Sequence, residues 1–150
     1  MKTFSEKFAE ITYNPFWSAI VIHWKGHSSV EEHQSVYNSA LEAVMCFGAK
    51  CLVSDMSASF SVSNIVSEWI KDEFIPKLTN YGVKKVAILS GGNSAHKHYL
   101  ESIKKTCISN GLILKIFNNR FEMEDWLKDY ELIKKPSVSV TDASKYVYFL

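Results

Sequence analysis

Residues 16–26, FWSAIVIHWKG, carry mostly β-branched or aromatic side chains on both alternating sets of an extended chain. One set holds Ala19, Val21 and His23, and the other holds Ile20, Ile22 and Trp24. A strand that faces solvent on one side alternates apolar and polar residues, whereas a strand covered on both sides does not. The stretch therefore predicts a central strand of a sheet, with both faces covered.

The segment before it, KFAEITYNP (residues 7–15), alternates less cleanly and stops at Asn14 and Pro15. An Asn-Pro pair favours a turn, and short turns join antiparallel strands. We expect a hairpin whose first strand is an antiparallel edge of the sheet, a place that tolerates proline.

Helical spacing begins after the hairpin. Ser29 and Glu32 form a capping box, and apolar residues then recur at helical spacing until Gly48 ends the pattern. A second helix is expected over SNIVSEWIKDEFIPKL (residues 63–78), where Pro76 should kink or end it. Its predicted buried face consists of Ile65, Trp69, Ile70 and Phe74.

Short buried strands alternate with these helices: CLVSD (51–55), VKKVAILS (83–90) and LILKIF (112–117). Two further helices are predicted, one over residues 94–111 with Gly111 as its C-cap, and one over 119–130. The order β-β-α-β-α-β-α-β-α predicts an α/β fold with helices on both faces of the sheet. The sheet is expected to be mixed, mostly parallel and five-stranded, with an antiparallel N-terminal edge strand and four helices.

The length and composition favour one core, since 150 residues with 47% hydrophobic side chains cannot bury two. We expect a single domain over residues 1–133 and a C-terminal tail over residues 134–150. The tail ends in KYVYFL, an apolar and β-prone run that would invite aggregation in water. We therefore expect the tail to pack on its own domain or across a homodimer.

Charge and cysteine usage narrow the class of protein. Lys and Arg total 17 against 16 Asp and Glu, a net charge of +1, so no nucleic-acid partner is expected. Cys46, Cys51 and Cys107 lie in apolar stretches without C-x-x-C spacing, a pattern typical of free thiols in a reducing cytosol. No run approaches the roughly 18 apolar residues of a membrane span, which favours a cytoplasmic protein.

Several motifs together resemble the STAS, or SpoIIAA-like, domains of anti-anti-sigma factors and their divergent bacterial relatives. The likeness covers about residues 8–130. It lies in the strand ending at Gly26, the D-x-S of Asp55 and Ser57, YGVKKVAIL at 81–89, and DWL at 125–127. The resemblance implies a SpoIIAA-like α/β fold and a regulatory, protein-binding domain rather than an enzyme.

In anti-anti-sigma factors, a partner kinase phosphorylates a serine within a D-S-S-G run at the start of the following helix. The corresponding stretch here is SVSN (residues 61–64), which lacks both the Asp and the Gly. Phosphate on Ser61 or Ser63 would lie near a helix N-terminus, where the helix dipole favours negative charge. Ser63 is equally suited to cap that helix through its hydroxyl, so a switch and a cap remain alternatives.

Asp55 follows a buried strand, at the sheet edge where ligands of α/β proteins bind. It could bind Mg²⁺, act as a general base or organise the loop, and the last is favoured because neighbouring strand ends offer no second carboxylate. We expect residues 55–64 to form the contact surface for a protein partner. The candidate residues are Asp55, Ser57, Phe60, Ser61 and Ser63, of which Phe60 offers an apolar contact among serines.

The glycines of SGGNS (residues 90–94) are weaker candidates. Gly91, Gly92 and Ser94 could cradle a phosphate, but the stretch lacks a nucleotide-binding motif and also suits a tight turn. His96 and His98 are two residues apart on a helix and cannot easily share a metal ion, so no metal site is expected. No triad or cysteine signature is present, so neither catalytic residues nor a cofactor are expected.

Two other functions are kept as alternatives. A small apolar ligand or lipid could lie in a groove near Trp17, Phe60 and Trp69. A hydrolase using Asp55 and His23 is the less favoured of the two, because no assembled nucleophile and base can be found in the sequence.

Overall fold

The computed structural model describes residues 2–58, 62–91 and 97–128. The chain divides into two compact units, Met1–Asn119 and Arg120–Leu150. The predicted tail, residues 134–150, lies outside the described residues.

The first unit contains a six-stranded sheet whose strands follow chain order from one edge to the other. The strands are β1 (Lys2–Ser5), β2 (Ala9–Asn14), β3 (Ala19–Trp24), β4 (Cys51–Asp55), β5 (Lys85–Leu89) and β6 (Ile113–Phe117). The pairs β1–β2 and β2–β3 are antiparallel, and the neighbours from β3 to β6 are parallel. The predicted α/β class and mixed sheet are confirmed.

The predicted number of five strands is wrong, because β1 adds a sixth. It pairs with β2 through a register shift between Lys2 and Phe4, and it takes the edge position that was expected for β2. The four residues KTFS contain a single apolar side chain and so give no alternation to detect. Backbone pairing with β2, rather than a sequence pattern, defines this strand.

The central position predicted for β3 is confirmed, with both alternating sets of its side chains buried except for the half-buried His23. One set, Ile20, Ile22 and Trp24, belongs to the same core cluster as residues of the helical stretches 30–47, 64–80 and 97–109. Every parallel step runs in one direction along the sheet, and right-handed crossovers then place their helices on one face. These three stretches therefore lie on the same face of the sheet.

Helix α1 (Val30–Phe47) begins and ends at its predicted caps. Ser29 Oγ accepts a hydrogen bond from the Glu32 N–H at 3.1 Å, and the Glu32 carboxylate accepts one from the Ser29 N–H at 2.9 Å. Gly48 adopts the left-handed conformation at φ 64°, and its N–H donates to the Val44 carbonyl. Both cap predictions are confirmed.

The second helical stretch consists of α2 (Asn64–Trp69), one π-helical turn (Ile70–Phe74) and α3 (Ile75–Asn80). Pro76 has no N–H and cannot donate one turn back in an α-helix. Just before it, the Ile75 N–H donates to the carbonyl of Ile70, five residues earlier, which is the π register. The helix thus passes Pro76 with a local change of register instead of ending there.

One expectation for this stretch is wrong, since Ile65 is 66% exposed and Val66 is buried in its place. The buried face begins at Val66 and continues through Ile70 and Phe74, which are buried as predicted. Trp69 is partly buried against the core, as expected.

Helix α4 (Lys97–Ser109) is followed by Gly111 in the left-handed conformation at φ 80°, which confirms the predicted C-cap. Cys51 and Cys107 are buried, but Cys46, expected among apolar side chains, is exposed. In the second unit, residues 120–128 form helix α5. Within the described ranges, no helix is both long and apolar enough to cross a membrane.

Candidate functional site

The carboxyl edge of the parallel strands, where β3 to β6 end, brings His23 and Asp55 together. The two residues are register partners on β3 and β4, so their side chains emerge side by side on the same face. His23 Nδ1 lies 3.6 Å from Asp55 Oδ2, and the side chains are 33% and 18% exposed, respectively. The pair is therefore half-buried at the edge where α/β folds bind their ligands.

Asp55 also organises the chain that follows β4. Its Oδ1 accepts hydrogen bonds from the Ser57 N–H at 3.1 Å and from the Ser57 hydroxyl at 2.7 Å. A carboxylate that bonds the backbone two residues onward makes an Asx turn. The role of loop organiser that we favoured for Asp55 matches these contacts.

The same contacts determine the ionisation of Asp55. Burial alone would raise its pKa, but the His23 ring and the two hydrogen bonds from Ser57 outweigh burial, and the pKa of Asp55 is lowered. A carboxylate with a lowered pKa is a weak base. The arrangement thus favours holding a turn over removing a proton from a substrate.

The order of contacts also differs from that of a hydrolytic triad. In a triad, histidine lies between the nucleophile and the carboxylate, so that it can take the proton of the nucleophile. Here Asp55 lies between Ser57 and His23, with Oδ1 bound to the serine and Oδ2 facing the ring. The Ser57 hydroxyl donates to a carboxylate, and the described geometry pairs it with no histidine.

Gly91 lies two residues after the end of β5 and packs closely against this turn. A Cβ placed on Gly91 would lie 2.9 Å from Ser57 Cβ and 3.3 Å from Ser57 Cα, and Gly91 has φ +67°. The glycine is explained by this close approach and backbone conformation without a phosphate. Gly92 and Ser94, the other phosphate-loop candidates, lie outside the described residues.

The remaining contact candidates are only partly described. Ser63 caps α2, because its Oγ accepts a hydrogen bond from the Val66 N–H at 3.2 Å. Phe60 and Ser61 lie outside the described residues. Sequence reasoning missed Ile65, an exposed apolar residue in the first turn of α2, because its spacing also fitted the buried face.

Within residues 2–58, 62–91 and 97–128, no group of three or more His, Cys, Asp or Glu side chains is placed to hold a metal ion. His98 is exposed on α4, and His96 is outside the described residues. The buried His33 side chain makes contacts within the core of the protein. Its Nδ1 lies 3.1 Å from the Ser29 carbonyl, its ring packs on Trp24, and burial lowers its pKa.

The groove considered for an apolar ligand is not assembled from the residues that the structure describes. Trp17 precedes the first residue of β3, whereas Trp69 packs on Tyr37, which packs on Trp24 at the opposite end of that strand. A cavity between the sheet and the helices, lined by residues including Tyr37, Ser54 and Tyr99, has a volume near 30 Å³. Drug-sized ligands need about 300 Å³ or more.

Comparison with known proteins identifies no relative: no family model, curated protein or solved structure matches this chain.

Proposed function

We propose that this chain is a non-enzymatic, protein-binding domain of the SpoIIAA-like kind, with the carboxyl-edge loop at residues 55–64 as its contact surface. The proposal joins the motif resemblance to one observation, the double engagement of Asp55. Its Oδ1 holds Ser57 and its Oδ2 faces His23, so the carboxylate fixes the turn at residues 55–57, where the loop begins.

A turn held in one shape suits recognition, because binding then orders fewer groups and costs less conformational entropy. Ser57 is exposed beside the anchored carboxylate, and Ser63 is exposed at the start of α2. These side chains provide hydrogen-bonding groups around the fixed turn.

Ile65 adds the apolar contact that such a surface needs. It lies two residues after the Ser63 cap and is 66% exposed, although isoleucine is among the residue types most often buried. Protein interfaces concentrate binding energy in a few apolar or aromatic side chains surrounded by polar groups. Ile65, in the first turn of the helix that Ser63 caps, fits that composition.

A small apolar ligand or lipid remains the alternative function. The apolar cavity lined by residues including Tyr37, Ser54 and Tyr99, near 30 Å³, is too small to favour it. Native mass spectrometry of the protein purified from its own host would detect a bound ligand. A homodimer through the tail is a separate hypothesis that concerns assembly.

The test compares three baits in quantitative affinity purification from the host: the wild-type chain, Ile65→Glu and Met45→Glu. Met45 is 59% exposed on α1, so it controls for placing a charge on an exposed apolar residue. A protein retained by wild type and Met45→Glu but lost with Ile65→Glu supports the proposal, and direct titration of that protein must then reproduce the loss.

An enzyme assay tests the non-enzymatic part independently. Turnover of a generic ester or nucleoside triphosphate that disappears in Asp55→Asn would overturn the proposal. Equal retention of every partner by all three baits would instead remove Ile65 and its surroundings as the contact surface.

A further inference from the structure

A second surface is formed by a groove between the π-helical turn and the outer face of α4. We call it the α4 groove, and it is lined by Lys71, His98, Glu101, Ser102, Lys104, Lys105, Thr106 and Ile108. Glu101, Lys105 and Ile108 follow one another at helical spacing along α4, so they form a continuous wall.

The floor of the groove holds an ordered cation. Lys71 Nζ donates to Ser102 Oγ at 2.8 Å and pairs with Glu68 Oε2 at 2.8 Å, and its side chain is 21% exposed. An ammonium group has three N–H donors, so one of them has no acceptor among the described residues. A lysine already held in place loses little rotamer freedom when a ligand arrives.

Ser102 supplies a second donor at the same place. Its oxygen accepts the bond from Lys71, and no acceptor for its own O–H lies among the described residues. The third N–H of Lys71 and the O–H of Ser102 therefore have no acceptor among the described residues, and their heavy atoms lie 2.8 Å apart. This pair of donors matches a carboxylate, which accepts through both of its oxygens.

The positive charge of the lysines that line the groove also favours an acidic ligand. Lys104 and Lys105 make no ion pair with any described residue, and Glu101, within one turn of both, forms no salt bridge with either. Glu68 already pairs with Lys71, so the uncompensated positive charge of the groove lies on Lys104 and Lys105. Ile108, 62% exposed, adds an apolar position at the end of the wall.

We propose that the α4 groove binds an acidic peptide segment of a partner protein, with one carboxylate on Lys71 and Ser102, further acidic residues beside Lys104 and Lys105, and an apolar residue on Ile108. This goes beyond the proposed function, because it concerns another surface and holds whether or not the carboxyl edge binds a partner. A nucleic acid fits less well, since the groove has no arginine, includes Glu101 and belongs to a chain of net charge +1.

The experiment uses the full ¹⁵N-labelled chain and a synthetic twelve-residue peptide of Glu and Asp with a single Leu, titrated by NMR to millimolar concentration. Amide shifts concentrated at residues 68–72 and 98–108, and weakened by added salt, are expected. The variant K104E/K105E should bind the peptide at least about tenfold more weakly. Lys71→Met and Ser102→Ala should each weaken it, and Ile108→Ser should weaken the Leu peptide but not its all-acidic counterpart.

The matched control is K7E/K84E, which makes the same change in net charge at two exposed lysines outside the groove. Equal weakening in the control would overturn the proposal, because only net charge would then matter. No shifts at millimolar peptide would also overturn it, as would tighter binding of a single-stranded oligonucleotide through Lys104 and Lys105. Circular dichroism melting of each variant establishes that it is folded before titration.

Discussion

Gly91 lies against Ser57 so closely that a single added carbon at position 91 would come within 2.9 Å of Ser57 Cβ. This contact links the loop after β5 to the turn that Asp55 organises after β4. It brings Gly91 and the D-x-S of Asp55 and Ser57 together at the carboxyl edge.

Gly91→Ala should therefore be more destabilising than an ordinary glycine substitution. Left-handed backbone costs a residue with a side chain about 1 kcal/mol, and the crowding at Ser57 should bring the total to about 2 kcal/mol or more. Gly48→Ala is the control, since Gly48 has φ +64° and nothing lies within 4 Å of its added Cβ. Urea unfolding that gives the two variants the same loss would contradict the close approach.

Asp55 should make folding sensitive to acid. Because its pKa is lowered in the folded state from the ordinary 3.8, its stabilisation is present above pH 3.8 and is lost as pH falls through the lowered pKa. In Asp55→Asn the amide oxygen can still accept from Ser57 but carries no charge, and we expect a loss of about 1 kcal/mol at pH 7. Denaturant midpoints from pH 7 to pH 2 should show a shallower acid decline in the variant than in wild type.

His33 should make the stability of the fold depend on pH in a higher range than Asp55 does. Burial lowers its pKa from 6.5, so the unfolded chain takes up the proton first, and stability falls as pH drops below 6.5 towards the lowered pKa. His33→Gln should flatten thermal stability over that interval, even if it is less stable throughout. Identical slopes in wild type and His33→Gln would rule out His33 as the source.

Substitutions at Ser63 distinguish a helix cap from a phosphorylation switch. Ser63→Ala should lower the free energy of unfolding by about 1 kcal/mol because the Val66 N–H loses its acceptor, whereas Ser63→Asp should retain the cap. Stoichiometric phosphate on Ser57, Ser61 or Ser63 in protein from the host, found by mass spectrometry, would restore the switch.

The tail prediction rests on sequence alone. Burying two of the apolar side chains of residues 146–150 could stabilise the protein by roughly 3 to 6 kcal/mol. Deleting residues 137–150 should therefore lower the melting temperature, and it should also halve the mass measured by light scattering if the tail joins two copies. Unchanged values for both would show that the tail is a passive appendage.

Local sequence was sufficient for much of the fold. The capping box of Ser29, the cap of Ser63 and the left-handed glycines at 48 and 111 each depend on residues within one turn of the chain. The central position of β3 was also predictable, because burial on both faces removes the alternation of polar residues. Each of these features leaves a pattern within a single segment of the chain.

Tertiary structure decided what depends on residues distant in the chain. β1 exists because β2 offers a free edge, Val66 and not Ile65 meets the core, and the helices of the parallel crossovers share one face because the strands follow chain order. The candidate site also depends on residues that are distant in the chain. His23 faces Asp55 only through the register of β3 and β4, and Gly91 meets Ser57 only because β4 and β5 are neighbours. Such contacts join residues more than thirty positions apart, and periodicity within one segment carries no information about the partner segment.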